Sequence, residues 1–179
     1  MHLPSLLLAA GSASFVLTSP LSRVEQRASK LQFIGVNESG PEFGNQNLPG
    51  TYGTDYTWPT QSTITTLHSK GMNTFRVNIL MERIIPNKMT GPLDSAYLGN
   101  LTQTVDQITS IGAYAIIVPH NYGRYYNNII TSTSDFGAFW KTLAGQFKSN
   151  SKVIFDVNNE CNAFDKAEWV NVLADTEAL

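Results

Sequence analysis

The octapeptide Val153-Ile154-Phe155-Asp156-Val157-Asn158-Asn159-Glu160 sets an apolar run of β-branched and aromatic residues directly before two amides and a carboxylic acid. A run of that length with polar bounds suits a buried strand covered on both faces, as in a parallel α/β sheet. Residues just past the C-terminal ends of such strands carry the chemistry of an α/β barrel, so Glu160 stands where a catalytic acid would sit. By itself the same octapeptide also reads as a plain strand exit with a solvated carboxylate. Two further groups bear on the choice. Arg76 lies inside a second strand-like run, and His120 follows a third in Pro119-His120-Asn121-Tyr122. Cys161, next to Glu160, could act as a thiol nucleophile only with a lowered pKa, which nothing local announces, so it reads as an inert small hydrophobe.

These groups need a scaffold, and the chain is long enough to build one. It has 179 residues, 42% hydrophobic and 15% charged, enough for one domain of ordinary size with a real core. Net charge is -2 and no Lys/Arg-rich run appears, which argues against nucleic acid or an anionic membrane as partner and favours a neutral substrate. As the only cysteine, Cys161 can make no internal disulfide.

Residues 1–27 read as a signal peptide and a short pro-segment. Residues 6–17 are apolar and too short to cross a bilayer, and the polar stretch that follows ends at the basic Arg27, so mature sequence would begin near Ala28. The first five residues carry no Lys or Arg. The expected location is therefore extracellular, and Asn37-Glu38-Ser39 and Asn100-Leu101-Thr102 are glycosylation sequons that add slightly to this reading.

From residue 31 on, strand-like and helix-like stretches alternate. Residues 31–36, 73–80, 113–118 and the run from Val153 are the expected strands. Helices are expected around Ile64, Leu67, His68 and Met72, around Leu98, Leu101, Val105, Ile108 and Ile111, around Phe136, Phe139, Trp140, Leu143 and Phe147, and over residues 167–179. Gly71 and Gly112 are placed to stop the first two. Residues 39–59 and 81–94 read as long functional loops. Four βα units with a parallel sheet follow, which either a flavodoxin-like open sheet or a (β/α)8 barrel could begin. The long loops rich in Tyr, Trp, Asn, Glu and His favour the barrel, and no Gly-rich phosphate loop follows the first strand.

Several motifs then occur in unbroken order: Gly35-Val36-Asn37-Glu38-Ser39-Gly40-Pro41-Glu42-Phe43-Gly44, Tyr52-Gly53-Thr54-Asp55-Tyr56, Gly71-Met72-Asn73-Thr74-Phe75-Arg76-Val77, Met81-Glu82-Arg83, His120-Asn121-Tyr122-Gly123-Arg124-Tyr125-Tyr126 and Asn158-Asn159-Glu160. Together they resemble the fungal endo-β-1,4-glucanases of glycoside hydrolase family 5. The resemblance implies a (β/α)8 TIM barrel of which this chain is the N-terminal half, with residues 28–179 as a partial catalytic domain. It also implies hydrolysis of cellulose or β-1,4-glucan with retention, and it calls for no cofactor and no metal.

By position the resemblance makes Glu160 the general acid/base and makes Arg76, His120 and Asn159 substrate-positioning residues. The residue types fit those roles. A general acid such as Glu160 needs partial burial or a negative neighbour to hold its proton near working pH. Asn159 can hydrogen-bond a sugar hydroxyl close to the reacting carbon, an interaction that strengthens in the transition state. Arg76 is a fixed charge that would orient a carboxylate nucleophile. His120 can donate to the same group or to a hydroxyl, and Tyr122, Trp58, Tyr125 and Tyr126 offer flat faces for glucose rings. Taken singly, Arg76 would read as an ion-pair residue, His120 as a satisfied core histidine and the aromatics as packing.

Retaining hydrolysis needs a second carboxylate about 5 Å from the first. The family carries it on the seventh strand, and Glu38, Glu42 and Glu82 do not match that position. The resemblance therefore implies that the chain by itself is inactive or nearly so, with bare sheet edges that invite half-barrel self-association. Two alternatives stand beside the glucanase reading. One is a secreted, non-catalytic glucan-binding or effector protein; the other is a retaining hydrolase for mannan or β-1,3-glucan.

Overall fold

The computed structural model describes residues 31–161. The expected signal peptide and pro-segment and the amphipathic stretch 167–179 lie outside the described residues. The secondary structure belongs to one unit that begins at Phe33.

Three long stretches of alternating sequence form adjacent parallel strands: β1, Gly35–Glu38, β2, Thr74–Ile79, and β3, Tyr114–Pro119. Helix α1, Gln61–Ser69, connects β1 to β2. A one-turn helix α2, Met81–Ile84, and the long α3, Ser95–Ser110, connect β2 to β3. A two-stranded hairpin, β4 Arg124–Tyr125 and β5 Asn128–Ile129, then precedes α4, Thr133–Ala144, and β6, Val153–Phe155. The sheet order is β1-β2-β3-β6, every pair parallel, so each neighbour is reached over a helical crossover. This is the N-terminal half of a TIM barrel, as the resemblance to glycoside hydrolase family 5 implied.

Local chemistry sets the helix starts. Thr60, Asp94 and Ser132 each accept a hydrogen bond from the backbone N–H three residues on, satisfying one of the free donors of the first turn of α1, α3 and α4. The stops fall where the glycines predict: Gly71 and Gly112 have φ of +96° and +89°, the left-handed region that ends a helix cheaply only without a Cβ.

The two faces of the sheet divide the labour. Phe75, Val77, Ile79, Ala115 and Ile117 are fully buried in one apolar cluster with Ile64 of α1, Leu101, Val105 and Ile108 of α3, and Phe136, Phe139 and Leu143 of α4. Each such side chain contributes about 1.5–3 kcal/mol of burial, which is why the helices stay on that face. Residues of opposite parity, Asn37, Arg76 and Asn78, turn to the other face.

Several expectations need correction. The first strand is Gly35–Glu38 and not residues 31–36. Its register explains this: Gly35 lies opposite Thr74, and the pairing extends toward Asn37 and Arg76. On α3 the buried face holds Tyr97 and Thr104 with Leu101, Val105 and Ile108, while Leu98 and Ile111 are only partly buried. Tyr97 can be buried because its hydroxyl donates to the Pro41 carbonyl at 2.9 Å and receives the Leu80 N–H. Residues 81–94 are not all loop, since they include α2. The stretch around Tyr125 and Tyr126 is a hairpin. Its two turn residues, Tyr126 and Asn127, both have positive φ, +46° and +62°, as a tight type I′ connection requires.

Candidate active site at the C-terminal rim of the sheet

Arg76 enters the rim from β2 and uses its whole guanidinium. Nε and Nη2 donate to Oδ2 of Asp156 at 3.1 and 2.9 Å. Nη1 donates to Oδ1 of Asn37 and of Asn78, each at 3.1 Å, and Nη2 also reaches Oδ1 of Asn159 at 3.0 Å. A guanidinium has five N–H donors in a fixed fork, so every one is engaged and three strands are tied at their C-terminal ends. Arg76 and Asp156 are also an ion pair, with side chains 23% and 37% exposed.

Asn159 follows β6, and its N–H donates to the carbonyl of Pro119 at the end of β3. Arginine only donates, so the atom of Asn159 that faces it must be the amide oxygen. The amide nitrogen is then turned away, buried and without a partner. Glu160 comes next, at φ +45°, exposed, with no hydrogen bond or ion pair among the described residues. The partial burial expected of it is not supplied by those residues.

Of the residues singled out from sequence, Arg76 and Asn159 are brought into direct contact. His120 is held at the end of β3 by its own N–H, which donates to the Ile79 carbonyl, and its half-buried ring meets Tyr122 edge-on at 5.1 Å. Both border a small cleft of about 60 Å³ that Glu82, Asn121 and Arg124 also line. No hydrogen bond joins the side chain of His120 or Glu160 to the Arg76 cluster among the described residues. Trp58 departs from expectation. It is 8% exposed, packed at 4.9 Å against the ring of Tyr97 within the core, and so offers no open face. Tyr125 likewise spends its hydroxyl on the Ile85 carbonyl.

The carboxylates of α2 and of the loop after β1 are anchors. Glu82, 3% exposed, accepts from the Asn121 side-chain amide and from the Tyr126 N–H, both at 2.7 Å, fixing the hairpin to α2. Glu42 accepts from the Gly40 N–H at 2.7 Å and from the Asn78 amide at 3.0 Å. Arg83, almost fully buried, donates to the carbonyls of Pro41, Gly44 and Pro49 and stacks over Tyr56 at 4.3 Å, so it pins the loop after β1. Burial pulls its pKa below the usual guanidinium value.

Asp156, Asn37, Asn78, Glu42, Glu82 and Asn121 escaped the sequence reading as site residues. Asn78 had a signal, since it lies two residues from Arg76 and shares its face of the strand. Asp156 needed the register of β6 against β3, which no local pattern states.

The profile of the cellulase family, glycosyl hydrolase family 5, matches residues 36–178. An endo-beta-1,4-glucanase B of Aspergillus niger is 53% identical over 168 residues, covering 94% of this chain and 50% of that protein. An endo-beta-1,4-glucanase A of Emericella nidulans is 49% identical over 157 residues, covering 88% and 48%. The crystal structure of an endo-beta-1,4-glucanase of Xanthomonas axonopodis pv. citri superposes with a TM-score of 0.78 at 35% identity, over 82% of this chain and 47% of that one. The chain thus spans about half the length of the curated relatives it matches.

Proposed function

Since the chain belongs to the cellulase family, glycosyl hydrolase family 5, we propose that its rim is the acid/base half of a β-1,4-glucan-hydrolysing site working with retention. Glu160 protonates the departing sugar oxygen and later activates water. Asn159 donates to a hydroxyl beside the reacting carbon, Arg76 holds that amide, and His120 and Tyr122 border the sugar on the β3 side.

One observation carries the reading: the Asn159 amide is turned by Arg76 so that its buried nitrogen is left without a partner next to Glu160. An unsatisfied buried donor costs about 1–3 kcal/mol, which a substrate hydroxyl would recover. None of the described carboxylates is assigned the attacking role. Asp156 is held by Arg76, Glu42 and Glu82 are buried and hydrogen-bonded, and Glu38 shares the opposite face of β1 with Val36.

Hydrolysis assays on carboxymethylcellulose, mannan and β-1,3-glucan test the proposal with the chain joined to a second barrel half that carries a nucleophile, since the chain by itself is expected to be inactive or nearly so. Release of reducing ends from the β-1,4-glucan, and a kcat roughly 10²–10⁴ lower in Glu160→Gln, is the expected result. Binding to cellulose with no release would select the non-catalytic glucan-binding reading, and preference for mannan or β-1,3-glucan would select the other hydrolase.

Export and self-association belong to the same proposal. No helix among the described residues is long and apolar enough to cross a membrane, and the apolar stretch 6–17 supports the reading of a secreted protein. Among the described residues β1 and β6 are the outer strands of the sheet, and their edges fit a second half barrel related by a two-fold axis. Analytical ultracentrifugation would show a dimer, and a stable monomer at micromolar concentration would remove this part.

A further inference from the structure

We propose that Glu42, on the loop after β1, is a positioning residue for Asn159 and acts on it through Asn78 and Arg76. The inference rests on the reading that Asn159 donates to substrate, but its structural half stands on hydrogen bonds alone. Because arginine has no acceptor, the three amides that touch its fork, Asn37, Asn78 and Asn159, must each present oxygen to it. That fixes Asn78 and Asn159 as a pair whose NH₂ groups point outward from the same guanidinium.

The outward NH₂ of Asn78 meets Oε1 of Glu42 at 3.0 Å and Oγ of Ser39 at 3.3 Å. Both Asn78 and Glu42 are buried, at 3% and 8% exposure, so this junction is shielded from water. The second carboxylate oxygen of Glu42 takes the Gly40 N–H, and no cation touches Glu42 among the described residues. Its charge is therefore carried by two N–H donors, one of which is the Asn78 amide. A buried carboxylate at the NH₂ end polarises that amide and strengthens its oxygen as the acceptor for Arg76.

Without the charge, Asn78 loses the acceptor that fixes its NH₂ end and keeps only the Arg76 fork, with the weaker Ser39 contact, to hold its orientation. Turned over, it would set NH₂ against the donor-only fork; Arg76 would withdraw, and the Asn159 amide would lose its fixed orientation beside Glu160. Glu42 touches neither substrate nor the reacting atoms in this scheme. Its effect is transmitted across three hydrogen bonds, from the β1 loop to the end of β6.

The experiment is a polarity exchange in the full chain. Glu42→Gln alone sets an amide NH₂ against either Gly40 or Asn78, and Asn78→Asp alone sets carboxylate against carboxylate. Together, Glu42→Gln with Asn78→Asp restores every hydrogen bond with the donor and acceptor of the junction interchanged. The readouts are the side-chain ¹⁵N signals of Arg76 Nε and Asn159 Nδ2 and, with the chain joined to a barrel half that carries the nucleophile, kcat and KM on a soluble β-1,4-glucan. We expect both signals to move in each single variant and to return in the double variant. We also expect kcat to fall roughly ten- to a hundredfold in the single variants with KM within about threefold, and to recover in the double. If a single variant fails to fold, recovery of signals and turnover in the double variant carries the same support. Signals of Asn159 unmoved by Glu42→Gln, or not restored in a folded double variant, would overturn the relay. Signals that move and return while turnover stays flat would leave the relay standing and overturn the substrate-contact role of Asn159.

Discussion

Nε and Nη2 of Arg76 converge on a single carboxylate oxygen of Asp156, at 3.1 and 2.9 Å, from positions 80 residues apart in the chain. The contact ties β2 to the residue just past β6, two strands away in the sheet. Because the pair is 23% and 37% exposed, water replaces part of what is lost when it is broken. Asp156→Ala should cost about 1 kcal/mol, well below the roughly 3–5 kcal/mol of a fully buried pair. Asp156→Asn keeps an acceptor in place and should cost less. Urea unfolding measures both, and an alanine variant with the wild-type midpoint would show that the pair holds nothing.

Gly35 is required by close approach. A Cβ there would sit 2.0 Å from the carbonyl oxygen of Thr74, so any side chain must push β1 off β2. Gly35→Ala should destabilise by about 3 kcal/mol or more, at the overpacking end of single-residue effects. Hydrogen exchange should show the loss first at the N–H groups of Asn73 and Thr74, which donate to Ile34. Unchanged protection there would refute the steric argument.

Glu38 is 6% exposed, one of its carboxylate oxygens is buried without a partner, and burial raises its pKa above the usual carboxylate value. In the folded chain it holds its proton to higher pH than when unfolded. Its contribution to stability is therefore complete below about pH 4.5 and is lost as pH rises through the folded value. Glu38→Gln removes the charged form, so it should match wild type at pH 4 and exceed it by about 1 kcal/mol at pH 7. Thermal melts at the two pH values decide this; equal gains at both would mean that the charge is not the cause.

Cys161 should be a poor nucleophile. Burial, then the charge of Asp156, pushes its thiol up to about 11. At pH 8 its thiolate fraction is roughly a hundredfold below that of an ordinary cysteine, so modification by a disulfide reagent should slow by about that factor. Because the unfolded thiol ionises first, the same shift should weaken the fold as pH rises from about 9 toward 11. Labelling at the rate of free cysteine would contradict the shift. This accords with the sequence reading of Cys161 as a small hydrophobe.

Much of the scaffold could be read from one-dimensional patterns. The parallel βα alternation and the stops at Gly71 and Gly112 follow from chemistry within a few residues of each site, whereas the caps at Thr60, Asp94 and Ser132 came only with the structure. Positions escaped where distant contact overrode the local signal. Tyr97 is a core residue because Pro41 and Leu80 satisfy its hydroxyl, and Trp58 packs at a tilt against Tyr97 in that same core, although its type suits a sugar platform. The hairpin turn at Tyr126 and Asn127 was masked because tyrosine is an unexpected residue at positive φ, held there by the carboxylate of Glu82 on its N–H.

The sequence by itself determined which residues sit at the ends of the parallel strands, because strand spacing and the polar exits are local properties of the chain. It was the family resemblance, added to those local patterns, that singled out Arg76, His120, Asn159 and Glu160 together. Only the tertiary structure decided what those residues do to one another. A guanidinium has five donors, and which acceptors take them depends on the register of β1, β2 and β6, a choice that a one-residue slip would reverse face by face. That register turned Arg76 toward Asp156, Asn37, Asn78 and Asn159, and through Asn78 connected it to Glu42.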